Sequence, residues 1–336
     1  MKKATIKDIA LHAGVSVMTV SRFFNAPDRV SGKTKDRIQK AIQDIDYHPN
    51  EIARSLVTKR TSTIGVILPD IRNPFFGSLF HAIELVVREY NFNLLLCNTQ
   101  ENEDEEKRYV HLLVGRNVDG IIIAPVSRDS ILTLKRKNQK TVLVDRIYED
   151  IETDSITSDH YHSMCKAIEY LTNLGHKKIG LIKGPAHLYP YAERLKAYQD
   201  VLNKNGIPLN SDYIRSAEIQ DSDIAYSAAS DMLNLPERPT AIVACNNILG
   251  MGALKAIFKN DMHIPRDISF IVFDRLSFLD LIQPKITHVA QAPEFIGSNA
   301  ARMLMDRILD KGSKTYQKIV INPEFVIGES CKDIRH

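Results

Sequence analysis

Tryptophan is missing from the 336 residues, and cysteine occurs only four times, at Cys97, Cys165, Cys245 and Cys331. The four are scattered too widely for a metal clip or a redox pair, so reduced structural thiols are expected and a disulfide-stapled secreted scaffold is excluded. Long apolar runs are missing too, since none approaches the roughly 18 residues that a membrane helix requires. The opening MKKATIKDIA leads into polar, charged sequence instead of an apolar signal core, which reads as mature cytosolic sequence. Gly-x-Gly-x-x-Gly, the Walker A loop, His-Glu-x-x-His and Gly-x-Ser-x-Gly are all absent, and the eleven histidines show no metal-ligand spacing. The familiar sequence routes to enzymatic chemistry are therefore closed, and no catalytic residue, cofactor or metal is expected.

What is there is an ordinary globular composition, 44% hydrophobic and 25% charged, in a chain long enough for a small module and one or two larger domains. The net charge of +3 hides an asymmetry. Residues 1–60 hold twelve Lys/Arg against six Asp/Glu, or +6, which leaves 32 against 35, or −3, for the remainder. A basic head on a mildly acidic body points to a polyanionic partner for the head alone, because phosphate neutralisation supplies much of the affinity for nucleic acid.

In the head, Thr5 and Asp8 match a capping box, and Ile6, Ile9, Ala10 and Ala13 share one face, which predicts a helix from about Ile6 to Ala13. Gly14 breaks it, Ser16 caps a second helix, and Val20 with Phe23 or Phe24 gives that helix an inner face. A third helix starting near Ser31 turns Ile38, Ala41, Ile42 and Ile45 inward. In such a unit the second helix can enter a major groove, with Val17, Met18, Ser21 and Arg22 facing outward near its start. Arg22 can read guanine bidentately, while Val17 and Met18 offer apolar contacts, for instance to thymine methyls. Thr5, Ser16, Thr19, Asn25 and Thr34 join them as candidate DNA contacts, the last four suited to phosphate. The same pattern also fits a small helical bundle whose surface is merely basic.

Residues 49–56, PNEIARSL, form a second candidate DNA element, with Asn50 as a cap and Ala53 and Leu56 on one face. Two turns of helix are not stable alone in water, so the segment is expected to fold only when DNA and a second copy hold it. Leu56 is a candidate wedge between minor-groove base steps, the alternative being a flexible linker with one exposed leucine.

The stretches TIKDIALHAGVSVMTVSRFFN and RVSGKTKDRIQKAIQDIDYHPNEIARSL resemble the lactose-repressor (LacI/GalR) family. The resemblance implies a helix-turn-helix head, a hinge helix at ARSL, and a homodimer that reads a pseudo-palindromic operator. It makes Val17, Met18 and Arg22 base-reading positions and Leu56 the intercalating residue.

After a polar linker at Thr58 to Ser62, near-continuous apolar runs alternate with amphipathic stretches. Strands are predicted at Ile64 to Leu68, Leu94 to Cys97, Gly120 to Ala124, Val142 to Val144, Ile179 to Ile182, Ala241 to Ala244 and Phe270 to Phe273, with crossover helices such as Phe75 to Tyr90, Tyr161 to Leu174 and Asn247 to Lys259. Such runs mark parallel strands buried on both faces, so the body is expected to be α/β, in two doubly wound lobes. Ligands of such sheets bind beyond the strands' carboxyl ends. Asp70 and Asn73, Asp145 and Arg146, Asn246 and Asn247, and Asp274 and Arg275 stand there, a set suited to a polyhydroxylated ligand with Phe75 packed on its apolar face. Each residue taken singly also reads as a helix cap or loop polar group.

The resemblance continues through PDIRNPFF, VDGIIIAP, LVDR, LGHKKIGLIKGP, ERLKAY, RPTAIVACNN, DISFIVFD and ITHVAQ, and implies a periplasmic-binding-protein-like core that holds a small effector, commonly a sugar, between its lobes. It makes Phe75, Asp145, Arg194, Asn246, Asp274 and Gln291 effector contacts. It also implies a division into a head at 1–48, a hinge helix and linker at 49–62, and a core at 63–336. The first lobe would take about 63–160 and 291–322, the second about 161–290 and 323–336. Asn247 and Arg275 depart from the family, each standing where an acid is common. With Arg146 and Arg194 nearby, that shift points toward an anionic effector such as a sugar acid. CKDIRH closes the sequence without leucine heptads, which favours a dimer, and the stripe Phe76, Leu79, Phe80, Ile83 and Val87 fits either a dimer contact or ordinary core. A transport-type sugar-binding protein would share this core, but not the basic head. The expectation is a cytoplasmic, nucleoid-associated transcriptional regulator, specifically a repressor controlled by a sugar or sugar acid.

Overall fold

A computed structural model of the protein describes residues 4–25, 27–47, 60–217, 221–275, 281–313 and 315–335. The chain divides into two compact units, Met1–Thr61 and Ser62–His336. No helix among the described residues is long and apolar enough to cross a membrane.

In the first unit, α1 (Ile6–Ala13) opens on a capping box in which the Thr5 N–H donates to Asp8 Oδ2 at 2.8 Å. It stops at Gly14, whose left-handed backbone (φ 60°) sends its N–H back to the carbonyls of Ala10 and Leu11. Ser16 Oγ accepts from the Thr19 N–H at 3.1 Å and so caps α2 (Val17–Asn25). With α3 (Gly32–Asp44) these helices enclose Ile9, Ala10, Ala13, Val20, Ile38, Ala41 and Tyr47. Ile6, expected on the inner face, is exposed, because the capping turn holds it at the rim. Tyr47, beyond α3, closes the core instead and packs against Phe24.

The second unit holds two six-stranded sheets. The first contains β1 (Thr63–Leu68), β2 (Asn93–Asn98), β3 (Gly120–Ile123), β4 (Thr141–Val144), β5 (Asp154–Ser158) and β11 (Lys318–Ile321), in the order β11-β5-β4-β3-β1-β2, all parallel. The second contains β6 (Ile179–Lys183), β7 (Ile214–Ser216), β8 (Ala241–Ala244), β9 (Ser269–Phe273), β10 (Thr287–Ala290) and β12 (Glu324–Val326), in the order β12-β10-β9-β8-β6-β7. Its one antiparallel pair joins β10 to β12. The connecting helices are α4 (Pro74–Glu89), α5 (Glu103–Gly115), α6 (Arg128–Arg136), α7 (His160–Asn173), α8 (Tyr189–Lys204), α9 (Ser222–Leu233), α10 (Asn247–Lys259) and α11 (Pro293–Ile308).

All seven predicted strands are present as parallel strands, six of them buried and β2 a sheet edge with Leu94 and Leu95 half-buried and Leu96 exposed, and the two lobes follow from them. The chain passes between the sheets three times, after β5, after β10 and after β11, so the two lobes are joined by three crossovers. Helix α11 follows β10 of the second sheet yet packs on α4 in the first lobe, closely enough that a side chain on Gly297 would lie 2.3 Å from Leu79 O. On α4, Phe76, Leu79, Ile83 and Val87 are buried in the first lobe's own core. Phe80, the fifth member of the stripe, is only half-buried, so burial within one chain accounts for the other four.

Candidate functional site

Strand ends build the site. Asp145 directly follows β4; its backbone is left-handed (φ 63°) and its N–H donates to Ile156 O at 3.0 Å. Asp274 directly follows β9, also left-handed (φ 75°), with its N–H donating to Val289 O at 2.9 Å. The two carboxylates thus occupy equivalent places in the two lobes, each in a backbone conformation that non-glycine residues adopt sparingly and mostly where structure over-determines it. Asn73 caps α4, its Oδ1 accepting from the Phe75 N–H at 2.9 Å, and Asn246 caps α10, its Oδ1 accepting from the Leu249 N–H at 2.7 Å. Asn246 Nδ2 donates to Tyr191 Oη at 2.7 Å, and Gln291, in the crossover after β10, donates from Nε2 to Asp274 Oδ1.

These residues line one small cavity together with Phe75, Phe76, Arg146, Pro190, Tyr191 and Arg194. Its volume is about 20 Å³, roughly the room for one water molecule. The lobes are closed on it, for Asn247 Nδ2 donates across to Asn73 Oδ1 at 2.9 Å, a bond that an acid at 247 could not donate. A neighbouring cleft of about 290 Å³ shares Phe75, Asp274 and Gln291 and adds Arg275, which is exposed. Of the nine expected ligand residues, Asn73, Phe75, Asp145, Arg146, Arg194, Asn246, Asp274 and Gln291 come together, and Arg275 stands apart on the outer rim.

Both arginines are spent largely inside the protein. Arg146 Nη1 and Nη2 fork onto the two carboxylate oxygens of Glu101 at 2.7 and 2.6 Å. Arg194 Nη1 donates to Cys245 O and Nη2 to His160 Nδ1, and its guanidinium lies 3.5 Å from the centre of the Phe273 ring. Each guanidinium keeps a buried Nε without a hydrogen-bond partner, and Gln291 Oε1 is in the same position. Burial raises the Asp145 carboxyl to about 6, against the pull of Arg146 and Arg194. Burial also raises Asp274, opposed by Arg194 and by the Gln291 hydrogen bond. His160 is held well below its usual range by burial and by Arg194, so it is a neutral ring that accepts at Nδ1.

Sequence reasoning missed Glu101, His160, Tyr191 and Phe273. Phe273 and Tyr191 could have been found, as the last residue of a predicted strand and a neighbour of ERLKAY. Glu101 lies in the acidic run QENEDEE, which reads as solvated surface.

In the head, Val17 and Met18 are exposed apolar side chains, 45% and 70% accessible, and Arg22 beside them is exposed. Ser21 and Thr19 are half-buried on the same helix, Ser16 and Thr5 stand exposed at the caps of α2 and α1, and Thr34 Oγ1 pairs with Ser31 Oγ at the start of α3. Asn25 ends α2. Asn50, Ala53 and Leu56 lie outside the described residues.

Residues 5–50 match the bacterial regulatory proteins of the lacI family, and residues 61–329 match the periplasmic binding proteins and sugar binding domain of the LacI family. The HTH-type transcriptional repressor PurR of Pasteurella multocida is 32% identical over 98% of this chain and 99% of its own length. A LacI family transcriptional regulator from Enterococcus faecium, solved with bound ribose, is 28% identical with a TM-score of 0.72 over 81% of this chain and 100% of that one. The lac repressor dimer bound to operator and an anti-inducer shares the fold, with a TM-score of 0.87 at 24% identity over 98% of this chain and 100% of that one. The chain belongs to the LacI family of bacterial regulatory proteins and is a transcriptional regulator, not an enzyme.

Proposed function

We propose that the protein is a repressor that binds a pseudo-palindromic operator as a homodimer in the cytoplasm, at the nucleoid, and that a sugar or sugar acid held between the core lobes sets its operator affinity. In this reading residues 1–48 read the operator, 49–62 are hinge and linker, and 63–336 sense the effector. The observation that carries the effector is the imbalance of hydrogen-bonding groups around the cavity. The carboxylates of Asp145 and Asp274 and the unpartnered Oε1 of Gln291 are acceptors, and among the donor atoms lining the cavity the Nε groups of Arg146 and Arg194 have no partner. A ligand that satisfies them must bring several O–H donors as well as acceptors, which is the chemistry of a polyol. Phe75 supplies an apolar face, and a similar regulator was solved with ribose bound. The first lobe would extend over about 63–160 and 291–322 and the second over about 161–290 and 323–336.

In the head, Arg22 is assigned to guanine and Val17 and Met18 to apolar base contacts, with Thr5, Ser16, Thr19, Ser21, Asn25 and Thr34 around them and Asn50, Ala53 and Leu56 in the hinge. The test is selection of the preferred operator from random duplex DNA, followed by anisotropy titrations with a panel of sugars and sugar acids. The expected result is a palindromic consensus whose affinity changes at least tenfold with one compound. A protein that binds all duplexes alike, or whose operator affinity no panel member moves, is not this regulator.

A further inference from the structure

Asn73 and Asn247 are buried, and each begins a helix at the cleft, Asn73 as the cap of α4 in the first lobe and Asn247 as the first residue of α10 in the second. A side-chain amide carries an acceptor oxygen and a donor nitrogen, so a bond between two amides can run in either direction. Here the backbone decides the direction. Asn73 Oδ1 accepts from the Phe75 N–H at 2.9 Å, and Asn247 Oδ1 accepts from the Ile248 N–H at 2.7 Å. Both N–H groups lie in the first turn of a helix, where no carbonyl of that helix can take them, so turning either amide over would set donor against donor. With the two amides held in this way, the atoms that meet across the cleft are Asn247 Nδ2 as donor and Asn73 Oδ1 as acceptor, 2.9 Å apart.

The same pair reaches expected ligand groups in both lobes. Asn73 caps the turn that carries Phe75. Burial raises the Asp274 carboxyl, and the Asn247 N–H, bonded to that carboxylate, opposes the rise together with Arg194 and Gln291. Phe75 and Asp274 line both the small cavity and the neighbouring cleft. An acid at 247 would set a carboxylate oxygen against Asn73 Oδ1, two acceptors with no proton between them, and would add a second negative charge beside Asp274.

We propose that Asn247 is a positioning residue of the effector site: its side-chain amide donates to Asn73 to hold the two walls of the cleft together, and a carboxylate in its place would hold them apart. The proposal rests on the cleft being the effector site and adds how its walls are joined. The polarity of the bond makes its two ends unequal. Asn73→Asp keeps an acceptor for both the Phe75 N–H and Asn247 Nδ2, and its charge lies at a helix N-terminus, where a negative group is favoured. Asn247→Asp takes away the donor.

The test reads the width of the cleft in the full-length protein by double electron–electron resonance between nitroxides at Asp129→Cys and His187→Cys, exposed positions on the segments that follow β3 of the first sheet and β6 of the second. The half-buried Cys165 and Cys331 are replaced by serine, and the labelled chains are diluted with unlabelled protein so that pairs within one chain dominate. Asn247→Asp is expected to lengthen the separation beyond the spread of the wild-type distances, and Asn73→Asp to leave it within that spread. Should Asn247→Asp fold poorly, Asn247→Ala removes the donor without adding a charge and is expected to lengthen the separation in the same way. Separations in the Asn247 variants equal to the wild type's, or a separation in Asn73→Asp as long as theirs, overturn the assignment. The measurement uses no sugar, so a sugar panel that leaves operator affinity unchanged counts against the effector reading alone.

Discussion

Asp145 is a carboxyl group whose burial works against its own ionisation, and its charge is retained at the centre of the candidate site. Folded, it titrates at about 6; unfolded, it would titrate near 3.9. Below about pH 4 both states hold the proton and the group favours neither. Between about pH 4 and pH 6 the folded chain keeps a proton that the unfolded chain releases, so stability falls as pH rises through that window, and above it the whole penalty applies, on the order of 2–3 kcal/mol. Asp145→Asn removes the penalty and also the acceptor that a hydroxyl would use. The variant is expected to be more stable than the wild type at pH 7.5, by an amount that shrinks toward pH 4, while sugar binding is lost. Urea melts at the two pH values check this, and a gain that does not change with pH would contradict it. The sequence exposed Asp145 and Asp274 because a polar residue directly after an apolar strand stands out. It concealed Glu101, since nothing local in QENEDEE distinguishes the acids that turn inward, Glu101 to Arg146 and the fully buried Glu106 to the backbone N–H groups of Val126 and Ser127.

At the scale of elements, legibility follows from whether burial is apolar. The seven strands found from sequence are those with runs of hydrocarbon side chains, buried in all but the edge strand β2, while β5, DSITS, is fully buried yet almost wholly polar. Asp154 takes a bidentate Arg307 at 2.7 and 2.8 Å, and Thr157 Oγ1 donates to Asp145 O at 2.6 Å, while the buried Ser158 Oγ is left without a partner. A sequence window cannot see partners 153 residues away. The turn of the head was readable because Gly14 does what few other residues can. Its φ is 60°, and an added Cβ would sit 2.7 Å from Arg37 Nη2, which itself donates to Gly14 O at 3.1 Å. Gly14→Ala should therefore destabilise the head by about 1–2 kcal/mol and weaken operator binding through its partial unfolding. Since the head and core are separate compact units, the core's melting transition and sugar affinity should not move. Calorimetric melting with two resolved transitions tests this, and a shift of both would show the units are not independent.

For the whole molecule, the uneven charge assigns the two ends of the chain different partners: +6 on residues 1–60 and −3 beyond. If effector and operator act on one two-state equilibrium, thermodynamic linkage requires each to change the other's affinity by the same factor, typically 5–150-fold, or about 1–3 kcal/mol of coupling. Equilibrium titration of operator with and without saturating sugar, and of sugar with and without saturating operator, should give factors that agree within error. Leu56→Ala sharpens the comparison. If Leu56 wedges a base step, operator affinity should fall without a change in sugar affinity to the free protein. The coupling factor, being a ratio of operator affinities, should shrink only as far as the wedge takes part in the switch. Unequal factors in matched titrations would mean that a third species, such as a further oligomer or a second ligand, is linked to the equilibrium, and unchanged operator affinity in Leu56→Ala would make residues 49–56 a tether instead of a reading element.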